Sequence, residues 1–365
     1  MSDLPSLWFH LQRDLFPALR EELGPLTETD QRFVQVMALL PLGGQFERSV
    51  WCGVGRPPCA RVWLFHAFVA KSVYGFPDTE ALLHALHSQP RLRQLCGWDS
   101  ASDLPSAATF SRAFAEFADD ELPQRLHAAT VKVHAGTKLV GHVSRDATAI
   151  AVPERPVPKP APAAPAANAP RKRGRPKQGE ARPAPPPTRL QQQPRRFLAE
   201  NLADLPRACD SGCKLGSKGQ PEYWQGDKLH LDVIDGDIPV SAVLTSASTH
   251  DSQVAIPLMQ MTAPRVTALY ELMDAAYDAQ AIHDFARTLG HVPLIEPVQR
   301  GDWVPLDPAQ RRRFGQRSAS ERVNSRLKDV FGGRTVRVRG AAKVRAHLMY
   351  GVLAITALGL WQRLC

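Results

Sequence analysis

The chain has 365 residues, 44% of them hydrophobic, and a formal net charge of +9. That length and hydrophobic share can build one large packed domain or two ordinary ones, which excludes a wholly disordered protein. No N-terminal run joins a basic start to a short apolar stretch and a small-residue cleavage site, and no uncharged apolar run reaches the roughly 18 residues of a membrane span.

The expected setting is therefore the cytoplasm, with no membrane partner, and the apolar run at 348–361 reads as a buried helix. The six cysteines are scattered, as reduced thiols in such a compartment would be. Cys209 and Cys213 form a C-x3-C pair, but no second pair follows at zinc-finger spacing, so ordinary packing is expected.

In chain order, apolar residues recur at helical spacing through 61–73, 79–86, 91–95, 109–117 and 122–133, separated by Gly75, Pro77, Pro90, Gly97 and Pro105. Residues 1–136 are expected to form an all-helical N-terminal domain. Short helices and tight turns suit a helix-turn-helix and a plain bundle equally, so a role for this region in binding DNA ends rests on context.

At 141–152 the pattern changes to alternation rich in β-branched residues, which predicts a first strand carrying Asp146. Residues 153–222 then read as a Pro- and Arg-rich insertion. Its alanine-proline repeats up to Pro194 cannot bury a core and favour solvated, disordered chain, with order resuming at Tyr223. Residues 151–196 hold eleven Lys or Arg against two acids, so this segment alone equals the net charge of the chain. Such a basic tract usually meets a polyanion.

Beyond it, 228–234 and 238–246 read as strands joined by Asp235-Gly236-Asp237, a hairpin signal. A helix capped by Asp251 runs to 261, a strand at 269–273 ends at Asp274, and Asp278 reads as the cap of a helix at 278–289. A short strand at 292–295 and helices at about 320–331 and 341–364 complete the chain. The sum is an α/β domain, 137–365, with a mixed sheet and flanking helices. Its element order resembles the ribonuclease-H-like fold, interrupted after its first strand.

Three acids suit phosphodiester chemistry, in which hard divalent ions held by carboxylates polarise the phosphoryl oxygens. Asp146 lies inside a strand, on one face with Ser144 and Thr148, where an acid is costly unless paired or metal-bound. Asp274 ends a strand, where α/β folds present site residues. Arg317, Glu321 and Lys328 share one helical face wherever the helix is continuous. A solvated salt-bridge ladder would give the same stripe, but residues 300–345 hold thirteen Lys or Arg against four acids, a surface that repels itself unless phosphates approach.

The spacing Phe314, Arg317, Glu321, Lys328 resembles the Tyr-Arg-Glu-Lys signature of bacterial DDE transposases (two aspartates and one glutamate) of the insertion-sequence-four type, with Phe in the Tyr place. Trp224-Gln-Gly-Asp-Lys-Leu-His-Leu-Asp232, Thr249-His-Asp-Ser252 and Asp274-Ala-Ala-Tyr-Asp278 are also similar to segments of those transposases. The resemblance implies that Asp146, Asp274 and Glu321 are catalytic and hold Mg2+ or Mn2+, as two ions. It implies that Arg317 and Lys328 contact DNA phosphates, and that the substrates are double-stranded terminal repeats and target DNA. It also implies a homodimer in the reaction complex and a nucleoid-associated place in the bacterial cytoplasm.

Within the insertion, 171–177 contains Arg-Gly-Arg-Pro, which resembles the core of an AT-hook. Arg173 and Arg175 would there lie along the narrow minor groove, where negative potential is concentrated, with Lys177 beside them as a further DNA contact. A generic solubilising linker is the plainer reading of the same residues. Two rival functions share most of these features: a transposase-derived DNA-binding protein that does not cut, and a magnesium-dependent nuclease without strand transfer. His66, His84, His87 and His230 lack ligand-like spacing and read as structural.

Overall fold

The computed structural model describes residues 25–46, 59–136, 138–158, 186–215, 219–297 and 304–364. The AT-hook-like residues Arg173, Arg175 and Lys177 lie outside them.

Among the described residues, six helices come first: α1 (Glu28–Leu39), α2 (Arg61–Val73), α3 (Thr79–Ser88), α4 (Pro90–Cys96), α5 (Ala107–Asp119) and α6 (Leu122–Ala135). Their ends follow local chemistry. Thr27 and Asp30 exchange hydrogen bonds in a capping box at the start of α1, Asp78 accepts from Ala81 N–H at the start of α3, and α4 opens on Pro90 and ends at the left-handed Gly97.

The sheet begins with β1 (Leu139–Ala151), continues with β2 (Asp210–Leu215), β3 (Pro221–Ile234), β4 (Ile238–Ser246) and β5 (Thr267–Met273), and ends with β6 (Val292–Ile295). β3 pairs antiparallel with β1 on one side and with β4 on the other, while β1 and β5, and β5 and β6, run parallel. The order through the common core is therefore β4-β3-β1-β5-β6, with β2 paired to the first half of β3. Gly226 sits at the change of partner on β3, at φ 144°, and a Cβ there would stand 2.2 Å from the Ile150 carbonyl oxygen. Only glycine allows that approach. The β3–β4 turn is the expected Asp235-Gly236-Asp237, with φ of 82° at Gly236 and 57° at Asp237.

Part of the expected insertion is folded. α7 (Arg189–Gln192), α8 (Leu198–Asp204) and β2 all precede Tyr223. Buried amides hold this stretch: Asn201 Nδ2 donates to the Gln193 carbonyl and to Gln260 Oε1, and Gln193 Nε2 donates to the Gln253 carbonyl. Polar composition concealed these contacts, because the side chains are anchored on α9 (Ser252–Thr262) rather than solvated.

The remaining helices are α10 (Gln280–Thr288), α11 (Pro308–Phe314), α12 (Ser318–Asp329) and α13 (Ala341–Leu364). α13 has the length and composition to cross a membrane, yet 89% of its most apolar window is buried inside the protein. It packs on α1, α2, α5, α6 and β4. One hydrophobic core consequently runs from Phe33, Phe65 and Phe68 through Tyr350 and Leu353 to Leu229 and Leu231 of the sheet.

Candidate active site

β1 sends successive side chains to opposite faces. Arg145 goes beneath the sheet and is fully buried, within 2.8 Å of Asp232 on β3 and 3.1 Å of Glu271 on β5. Thr262 of α9 donates to Asp232 at 2.6 Å, and His291 Nδ1 lies 2.9 Å from Glu271. Burial works against the Arg145 charge, but Asp232 and Glu271 outweigh it and hold its pKa above the usual guanidinium value. The network joins three adjacent strands directly under the residue that follows Arg145. The signal for it in the sequence is a base beside an acid within one strand, Arg145 next to Asp146.

Asp146 goes to the other face, toward α12. Ser144 Oγ, on the same face, donates to the Gln316 carbonyl at 3.3 Å, and Asn324 Nδ2 donates to Asp146 Oδ2 at 3.0 Å. Asp146 is pushed up to about 6 by burial, with the negative charges of Asp274 and Glu321 adding to the rise and the Ala147 N–H and Arg317 opposing it. Asp274 follows the last residue of β5, the parallel neighbour of β1. Its Oδ1 accepts from Ala276 N–H at 3.0 Å and so caps a short 3-10 turn. Burial also raises the Asp274 pKa, with Asp251 and Glu296 adding and Arg317 opposing.

Glu321 is in the first turn of α12. Its side chain is 53% exposed and forms a 2.5 Å ion pair with Arg317. Arg317 ends a 3-10 turn and stands at the N-cap position of α12 without a side-chain cap, so the base and the acid stand one helical turn apart, as the spacing predicted. The Phe314 ring lies 5.8 Å from the Arg317 guanidinium, which keeps a cation–π contact without a tyrosine hydroxyl. Lys328, a further two turns along α12, has its pKa lowered by burial and by Lys214 and Arg334, with Asp329 and Asp146 opposing.

The three acids thus share one electrostatic field, while each carboxylate is engaged locally. Among the described residues, no three His, Cys, Asp or Glu side chains form a ready cation cage. Glu321 is the acid paired with Arg317. The donor set still fits a hard divalent cation, since all its donors are carboxylate oxygens and burial leaves Asp146 with an ionised form that a cation would stabilise.

Two smaller expectations change. Asp251 stands at the N-terminus of α9 but makes no capping bond; its carboxylate takes Lys228 Nζ at 2.9 Å instead. Asp278 does not cap α10, which starts after Ala279, and its Oδ1 lies 3.1 Å from His283 Nε2. In both cases a nearby base offers the carboxylate more than a helix N–H does. Cys209 is buried and Cys213 exposed, in keeping with ordinary packing. His230 is fully buried against Thr245 Oγ1 at 2.9 Å, a structural setting.

Residues 205–357 match the family described as Transposase DDE domain, and residues 21–116 match the family described as Transposase domain (DUF772). Together the two matches take in more than half of the chain and support a transposase function within a nucleic-acid-processing class of enzyme. The first takes in Asp274 and Glu321 and begins within the expected insertion, so it does not include Asp146. No curated protein and no solved structure matches the chain.

Proposed function

We propose that this chain is a DDE transposase of the insertion-sequence-four type that cuts the ends of a mobile element and joins them to target DNA. Asp146, Asp274 and Glu321 are its catalytic carboxylates. The observation that carries the reading is the placement of these acids: Asp146 on β1, Asp274 just past the end of its parallel neighbour β5, and Glu321 on the helix that hydrogen-bonds to Asp146. The strand order β4-β3-β1-β5-β6 supports a ribonuclease-H-like catalytic domain at 137–365, following a helical region at 1–136.

The three carboxylates would hold divalent cations, Mg2+ or Mn2+, and two such ions would polarise the phosphoryl group and activate the attacking hydroxyl. The chain's own part is positional. Arg317 faces all three acids electrostatically, and a DNA phosphate that engages its guanidinium competes with Glu321 for it. Glu321 is then free to turn toward Asp146 and Asp274. Lys328, crowded by Lys214 and Arg334, gains from a phosphate what it lacks from protein acids. The basic residues of the insertion, Arg173, Arg175 and Lys177 among them, add salt-dependent affinity for DNA. A homodimer would bring two element ends together, and the setting is a bacterial cytoplasm, on the nucleoid.

The test uses DNA from both flanks of the coding region, incubated with the protein and Mg2+. Cut ends and joined products are expected. Cutting without joining would make the protein a nuclease, and retention of the DNA without cutting would make it a binding protein.

A further inference from the structure

Asn324 is the direct bond between α12 and the acid of β1, reaching across 178 positions of sequence. Its side chain is buried, at 6% exposure, yet its Oδ1 has no hydrogen-bond partner. A buried amide left half satisfied costs free energy that an apolar side chain of the same size would not. Packing alone therefore gives no reason for an amide here. Asn324 stands three residues after Glu321 and four before Lys328, so α12 carries all three on neighbouring positions of one side. Val323 and Leu327, both fully buried, fix that side against the core.

We infer that Asn324 is a positioning residue for Asp146. Its Nδ2 fixes one carboxylate oxygen and so sets how the carboxylate faces Asp274 and Glu321. The inference rests on the reading of Asp146 as a cation ligand. Groups that hydrogen-bond to a ligating carboxylate orient it, and their removal typically weakens metal binding by about tenfold to a hundredfold.

The experiment titrates full-length protein, without DNA, with Mn2+ and follows free Mn2+ by electron paramagnetic resonance. Asn324→Leu keeps the shape and removes the donor, and it should bind Mn2+ about ten times more weakly or worse. Asn324→Gln keeps the amide and should recover part of the loss. Thermal unfolding of the metal-free proteins checks that both fold; if the leucine variant does not, Asn324→Ser, too short to reach Asp146, takes its place. Asp146→Asn is the reference. Weak binding by Asp146→Asn together with unchanged binding by Asn324→Leu would overturn the role of Asn324 alone. Unchanged binding by Asp146→Asn would overturn the ligand reading and this inference with it.

Discussion

Arg317 and Glu321 form a 2.5 Å ion pair in which the arginine is largely covered and the glutamate half exposed. The pair joins the N-cap position of α12 to its first turn and occupies the Glu321 carboxylate. An ion pair at such a site contributes up to about 1 kcal/mol, little enough for a phosphate to displace. Arg317→Ala should therefore change the free energy of unfolding by less than about 1 kcal/mol. Its effect on cutting of element ends should be far larger, a loss of about tenfold or more for a phosphate contact worth more than about 1.4 kcal/mol. Urea unfolding beside a cleavage assay separates the two. A loss of several kcal/mol in stability with normal cutting would make the pair structural.

The raised pKa of Asp146 predicts an unusual stability profile. Its carboxyl titrates at about 6 in the fold, against 3.8 for the group in the absence of the protein's influence. Below the lower value it is protonated in folded and unfolded chains alike, and its ionisation costs the fold nothing. Above the higher value it is ionised in both, and the folded state bears the full penalty, about 3 kcal/mol for a shift of about two units. Stability is therefore lost as pH rises through that window. Metal-free Asp146→Asn should be more stable than the parent at about pH 7.5, and the difference should vanish toward pH 4. Chelator-treated protein, melted at both pH values, checks this. Equal stability at the higher pH would mean that the carboxylate is not penalised by its surroundings.

Arg145 is expected to matter through stability first. Its charge is compensated by Asp232 and Glu271, both buried with it. Arg145→Met leaves two buried acids without their base, a loss of about 3–5 kcal/mol. Denaturant unfolding at neutral pH reads the loss directly. Acidification should restore part of it, since protonation neutralises the stranded acids. A change below about 1 kcal/mol would show that the sheet tolerates the uncompensated pair.

Much of this arrangement was legible in the sequence because the deciding forces are local. Alternation placed Asp146 and Ser144 on one face of β1, the apolar run ending at Asp274 gave β5, and the four-residue step put Arg317 and Glu321 one helical turn apart, although their ion pair is the plainer reading that the basic excess argued against. Three features were not legible, each set by contacts far apart in the chain. The folded stretch around Asn201 is held by amides on α9. Asp251 exchanged a local cap for Lys228, 23 positions away. Asn324 reads as an unremarkable helix residue until β1 and α12 are brought together.

Lys328 supplies a prediction about DNA rather than about chemistry. Lys328→Ala should weaken binding to any duplex and reduce the dependence of log affinity on log salt by about one unit, as loss of one phosphate contact requires. Removal of residues 171–177 should lower the same slope further, because several bases leave together. Filter binding over a range of salt concentrations measures both. An unchanged slope in either protein would mean that the deleted charge does not touch phosphate.

The shared role of the three acids is tested most directly by cutting assays on Asp146→Asn, Asp274→Asn and Glu321→Gln with element-end DNA and Mg2+, beside gel retention of the same DNA. Each variant should retain the DNA and none should cut it. Cutting at the parent rate by any one of them would remove that residue from the site and contradict the account.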